Sequence, residues 1–435
     1  MSAAPHSLSE SASVMRMRAA FEQHNGANIP LRQAAFATFS RAGFPTPRDE
    51  QWKYTNLRRL ESREFTVSHP DAPYTSVIFK PANVYPLVFI DGYYRPELST
   101  PPTSSAVKIT SLLSLQQSDP QQFATFSDIK THQSSSMTAL NTALMTDGIM
   151  IEAADNATLD QPIFLTFLWS DTELNLMAHP RIVIRTGKHA HLTVIQHYLD
   201  TGSTSHFNNS VTTVQLAAGS KLEHCLIQNE NNHSFHVSQI HAELAQDSTL
   251  TNHHFNFGAA LARTDINALL KGPEAKAILN GLQFATGHQH HDTHLQVEHC
   301  VPHTQSHEDY RGIADQRGRI VFNGKVKVHE KAAKTDAQQS SRNLLLSSTA
   351  EIDAKPELEI YNDDVKCAHG ATIGQLDANA LFYLRSRGLD EQQARALLTH
   401  AFANHIITQV PVPEMRQQLT ETSHVRFGAQ LEYMA

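Results

Sequence analysis

Between Gly148 and Ile360 apolar and polar residues alternate in short runs, HLTVIQHYL, VTTVQL, KLEHCLIQ, FHVSQIHAEL and RIVFNGKVKV among them. A period of two predicts half-buried β-strands, and the small or polar residues between the runs predict turns. An apolar residue just after a turn recurs at Leu159, Leu192, Leu222, Leu250 and Ala277, at gaps of roughly 27–33 residues. It returns at Ile320 and Ile352 after one longer gap. A loose repeat holding about two strands or more per unit predicts a stacked solenoid. A sandwich would give a similar strand count, but no Cys…Trp…Cys spacing or Greek-key connection is visible. A parallel β-helix over 137–360 is the expectation.

Helical patterns flank this core. Residues 7–25 carry Leu8, Val14, Met17 and Phe21 at helical spacing, and Asn25-Gly26 ends the run. Residues 30–42 open with Pro30 in the first turn and end at Gly43. Pro86–Ile90 predicts a strand closed by Asp91-Gly92, and a short helix from Met137 leads into the core. Beyond the core, Asp377 is a good N-cap for a helix through Leu381 and Leu384 that stops at Gly388. Asp390 and Gln393 form a capping box for a second helix, with an apolar stripe of Ala394, Leu397, Leu398, Ala401 and Phe402. Pro411 and Pro413 end that region, and the stretch from Gln418 is a short helix or tail. The predicted division is a mixed helical region at 1–136, the β-helix at 137–360 and a helical region at 361–435.

Composition removes several classes of function. At 435 residues, 40% hydrophobic and 18% charged, the chain is a soluble folded protein too long for one ordinary domain. A net charge of −8 argues against a nucleic-acid partner. No run of 18 apolar residues exists to span a membrane, and the N-terminal stretch lacks the apolar segment of a signal peptide. Cys225, Cys300 and Cys367 lie far apart with no CxxC pair, which points to a reducing cytoplasm. The same spacing rules out a ferredoxin-type cluster held by this chain alone. No Walker A loop is present: Gly318 through Gly324-Lys325-Val326 has the wrong spacing and lacks the Ser/Thr that holds magnesium. There is no GxGxxG, GxSxG or HExxH, and the residues assign no flavin. A carbohydrate-active β-helix lyase or hydrolase would need aligned carboxylates, whereas Glu223, Glu243, Asp265 and Glu298 are isolated.

Two groups of residues could carry metal chemistry. His288, His290, His291, His294, His299, His303 and His307 crowd together with Cys300. On strands alternate residues face opposite ways, so only a subset could converge, and histidines hydrogen-bonded on strands and turns are the simpler reading. A free-standing histidine-rich metal binder is the alternative. Cys225, inside an apolar strand, reads as core. Cys367 and His369 stand two apart, so an extended backbone presents thiol and imidazole on one face. They are half a site, with Asp363 and Asp364 near enough in sequence to orient the imidazole.

ELEIYNDDVKCAHGAT followed by LFYLRSRGL resembles the C-terminal signature of the SufD family, scaffold subunits of the SufB–SufC–SufD machinery that assembles iron–sulfur clusters. RDEQWKYTNL at 48–57 and LNTALMTDGIMIE at 140–152 are similar to its N-terminal and core segments. The resemblance implies a right-handed parallel β-helix and a non-enzymatic scaffold. It implies pairing with SufB, or with a second copy of itself when alone, and docking of the ATPase SufC. It also implies a transient iron–sulfur cluster shared with SufB, with Cys367 and His369 as ligands. Leu381, Tyr383, Leu384 and Arg387 combine residue types enriched in interface anchors and are the expected SufC contacts.

Overall fold

The computed structural model describes residues 11–24, 29–70, 74, 81–127, 135–170, 172, 174–200 and 202–428. Leu8 and Asn25-Gly26 therefore lie outside the described residues, as does the chain beyond 428.

The alternating runs form a β-solenoid of about eight turns. Each coil gives one strand to each of two sheets, and every neighbouring pair in the stack is parallel. The first sheet ends with His290–His299, Arg319–Val328 and Glu351–Ile360. The second ends with Gln305–Ala314, Asp336–Leu345 and Lys366–Gly374. Registered pairing stacks equivalent residues into columns. Leu192, Leu222, Leu250 and Ala277 sit one above another in the second sheet and face the core between the sheets.

That column explains the long gap in the sequence repeat. Above Ala277 it continues through Ser306, Ala337 and Cys367. Ser306 is polar, so a search for apolar residues skipped a coil and resumed on Ile320 and Ile352, which stack in the first sheet.

The two ends of the solenoid differ. At one end Val107–Ser111 pairs antiparallel with Gly148–Ala153, and Tyr93–Arg95 pairs antiparallel with Tyr85–Ile90, closing both sheets. At the other, among the described residues, Glu351–Ile360 and Lys366–Gly374 each have a strand neighbour on one side only.

Helices cover the walls. Ala12–Gln23 and Pro30–Ala42 bury Val14, Met17, Phe21, Phe36 and Phe39 against the first sheet beside Phe207 and Phe235. Glu391–Ile407 has the predicted Asp390–Gln393 capping box. Its buried face is Ala394, Ala396, Thr399, Ala403, Ile406 and Ile407; of the expected stripe Ala394 is buried, Leu397, Leu398 and Phe402 are half-buried, and Ala401 is exposed. The small residues let this helix lie close on the second sheet's wall over Phe255 and Phe284. Pro413 begins the last helix, Pro413–Phe427, as its first residue. Among the described residues, no helix is long and apolar enough to cross a membrane.

Candidate functional site

The strand Lys366–Gly374 is the last coil of the second sheet, and Cys367 and His369 share its inward face two residues apart. Cys367 is half-buried against the interior core. Burial pushes its thiol pKa up, with Asp336 adding to the rise against a backbone hydrogen bond at Ala337. His369 is exposed, because no coil lies above it. Asp364 does not orient it: this carboxylate accepts from Lys334 Nζ at 2.7 Å. Lys334 stands at the turn one coil below, and its backbone amide donates to Asp364 O at 2.7 Å as well.

His369 heads an interior column running down through Gln339, Glu308, Leu279, Asn252 and His224. Gln339 donates to the Glu308 carboxylate. Asn252 and Gln196 flank the His224 ring at 2.6 and 2.9 Å. Burial raises the Glu308 pKa to about 7 against the hydrogen bond from Gln339, and lowers that of His224 to about 4. Sequence reading passed over this column, although polar residues at inward positions of alternating strands were its signal.

Exposed apolar side chains surround the open end. Ile360, Tyr361 and Ile373 are on or beside its strands. The helix Ala378–Ser386, N-capped by the Asp377 carboxylate accepting from the Ala380 amide at 2.8 Å, buries no residue. Tyr383 and Arg387 are exposed and paired, with guanidinium Nη2 donating to the phenol oxygen at 3.2 Å and lying over the ring. Leu381 and Leu384 are half-buried. Phe382, which sequence reading left out, is 75% exposed.

The crowded histidines do not form a common site. His291 reaches the Gly258 carbonyl at 2.7 Å, His299 contacts Thr304 and Ser306, and His294 pairs with Asp292 at 3.0 Å. His303 occupies a left-handed turn position, φ 61°, and His288 and His307 are exposed. Cys225 is buried under the C-terminal helices.

Two family models cover most of the chain. Residues 167–402 match the core domain described as SUF system FeS cluster assembly, SufBD core domain, and residues 15–165 match the SufBD protein N-terminal region. The chain belongs to the SufBD family. It is similar to an iron–sulfur cluster assembly SufBD family protein of Synechocystis, 34% identical over 90% of each chain. It is also similar to the iron–sulfur cluster assembly protein SufD of Escherichia coli, 31% identical over 92% of this chain and 93% of that one. The Bacillus subtilis SufD is 25% identical over 65% of each. Both SufBD regions meet at Trp52, from the RDEQWKYTNL stretch. Arg263 of the core lies 3.8 Å from the centre of its indole ring and ion-pairs with buried Asp292 at 2.7 Å. Thr55 donates to the same carboxylate. Burial alone would raise the Asp292 pKa; His294 and Arg263 reverse this and hold it well below the usual range. Trp52 is thus a packing residue, and its partner is the solenoid wall.

Proposed function

We propose that this SufBD-family chain works as SufD does: a non-catalytic scaffold whose open solenoid end pairs with SufB. The cluster under construction is bound at that junction, with Cys367 and His369 donating ligands and SufB completing the set. SufC docks on the helix Ala378–Ser386 and its neighbour and hydrolyses the ATP, for which this chain has no Walker A loop. Free thiols at Cys225, Cys300 and Cys367 suit a reducing cytoplasm.

One observation carries the reading. Among the described residues, nothing pairs with the outer side of the last strand of each sheet, and Ile373 stands 47% exposed on one of them. Unpaired strand edges with apolar side chains are templates for a further strand. A second β-helix of the same family supplies two such edges at the right separation; a second copy of this chain is the substitute when SufB is absent. The half-site at Cys367 and His369 lies on that same coil, so pairing would add the missing ligands where they are needed.

The test is co-expression with SufB and SufC. The wild-type chain is expected to co-elute with both. Ile373→Lys, placing a charge on the edge, is expected to release SufB while the circular dichroism spectrum stays unchanged. Retention of SufB by a folded Ile373→Lys variant would reject the edge as the interface.

A further inference from the structure

Glu298, Cys300 and His329 come together on the first sheet's side of the solenoid, away from the strand that carries Cys367 and His369. Their grouping follows from register. His299 and Val328 are paired residues of adjacent coils, so Cys300 and His329, each one residue further on, occupy the same position in successive coils. The backbone keeps that register beyond the strands: the Cys300 amide donates to Leu270 O at 3.1 Å, and the His329 amide to His299 O at 3.0 Å. Adjacent coils are separated by one strand spacing, about 4.8 Å. Glu298 precedes Cys300 by two residues and so leaves the strand on the same face. One carboxylate oxygen, one sulfur and one imidazole nitrogen consequently lie within 4.8 Å of one another.

We propose that Glu298, Cys300 and His329 form a binding site for a divalent transition-metal ion of the Zn²⁺ or Fe²⁺ class, with a fourth position open to water or an incoming ligand. The site does not depend on the scaffold function proposed above.

The donor chemistry fits that class. Thiolate and imidazole together select zinc and iron over the hard cations magnesium and calcium, and a carboxylate completes a three-ligand open set. Carboxylate and thiolate supply two negative charges, so a divalent ion leaves the site neutral. All three residues are half-buried, which leaves an entry path; His329 is 38% exposed and Glu298 16%. His329 Nε2 lies 2.8 Å from Glu298 Oε2, an arrangement that brings both groups to one point. Gln296 Nε2 donates to the other carboxylate oxygen at 2.8 Å and fixes its orientation, as supporting groups do around metal ligands. The Cys300 thiol makes one weak contact, 3.7 Å to the Glu298 carbonyl.

Burial, then the nearby Glu298 carboxylate, raises the Cys300 pKa. Binding must therefore form the metal–sulfur bond as the S–H proton leaves to solvent. Lys271 and Lys327 are the cations that face the thiol. Lys271 is held by Glu243 at 2.6 Å. All three groups sit at or next to a strand end.

Cobalt(II) is the probe, since a thiolate bound to it gives a near-ultraviolet charge-transfer band. The chelator-treated full-length protein is titrated with CoCl₂, then competed with ZnCl₂. The expected result is one equivalent bound with that band, displaced by zinc. Cys300→Ser is expected to abolish the band, His329→Ala to weaken affinity at least ~10-fold, and the double variant Cys367→Ala/His369→Ala to leave both unchanged. Circular dichroism confirms that each variant is folded. Absence of a band in the wild type, or its persistence in Cys300→Ser, would overturn the site. An unchanged affinity in His329→Ala would do the same.

Discussion

At the residue scale, the chain spends buried charge to fix one contact between its N-terminal region and its solenoid. Arg263 and Asp292 are fully buried; Trp52 covers the guanidinium, Thr55 donates to the carboxylate and His294 lies 3.0 Å from its other oxygen. Removing one member of such a pair leaves an uncompensated charge, which costs about 3–5 kcal/mol. Arg263→Ala is expected to lower unfolding free energy by that order in urea, whereas Arg317→Ala, an exposed turn substitution, leaves it within about 0.5 kcal/mol. A loss below 1 kcal/mol for Arg263→Ala would show that the network is dispensable. Trp52 stands in the RDEQWKYTNL stretch, but its partner Arg263 lies more than two hundred residues away. Nothing local announced it. The same limit applied to Asp364, whose nearness to His369 in sequence suggested an orienting role. Lys334, one coil away, holds it instead.

At the scale of elements, local rules read well and rotations read badly. Caps at Asp377 and Asp390, Pro30 at a first helical position and the left-handed Gly388 at φ 98° depend on neighbours in sequence, and all were legible. The buried face of Glu391–Ile407 was legible at Ala394 and not beyond it. Hydrophobicity favoured Leu397 and Leu398, yet close packing on a sheet wall selects the small residues Ala396, Thr399 and Ala403. The solenoid period was legible until Ser306 placed a hydroxyl where the column wanted a methyl. On the exposed helix Ala378–Ser386, Tyr383 and Arg387 brace each other and offer an aromatic and a guanidinium to a partner, the residue types richest in binding energy. Substituting both by alanine is expected to weaken SufC binding by at least ~10-fold with helicity retained, since each anchor is worth about 1 kcal/mol or more. Isothermal titration against purified SufC checks it; an unchanged affinity would move the dock elsewhere, with Phe382 the next side chain to substitute.

At the scale of the whole molecule, polar groups inside the solenoid tie stability to pH. Burial lowers His197 and His224 to about 4, and His254 and His291 to about 3. An unfolded chain binds these protons near pH 6.5, the folded chain only far below it. The unfolded state therefore holds more protons between those values, and stability present above pH 6.5 is lost as pH falls toward 4. Each histidine contributes a slope of about 1.4 kcal/mol per pH unit in that window. Glu308, raised to about 7 by burial, and Asp200, raised to about 6, have the opposite slope between their ordinary range and those values, and burial raises Asp91, Asp147 and Glu223 as well, but the lowered histidines outnumber these carboxylates. Urea midpoints are expected to fall steeply from pH 6.5 to 4.5; a flat profile would mean that these histidines are hydrated.

In the proposed complex, the open coil would bring the incomplete ligand pair Cys367 and His369 to a place where a SufB partner completes it. Of the pair, His369 is exposed, while Cys367 is half-buried and burial raises its thiol pKa. The direct measurement is the iron and sulfide content of the SufB–SufC complex with this chain, purified anaerobically. His369→Ala is expected to co-purify intact with its cluster lost, and Cys367→Ala to lose less. A full complement of iron and sulfide on the His369→Ala complex would contradict the account.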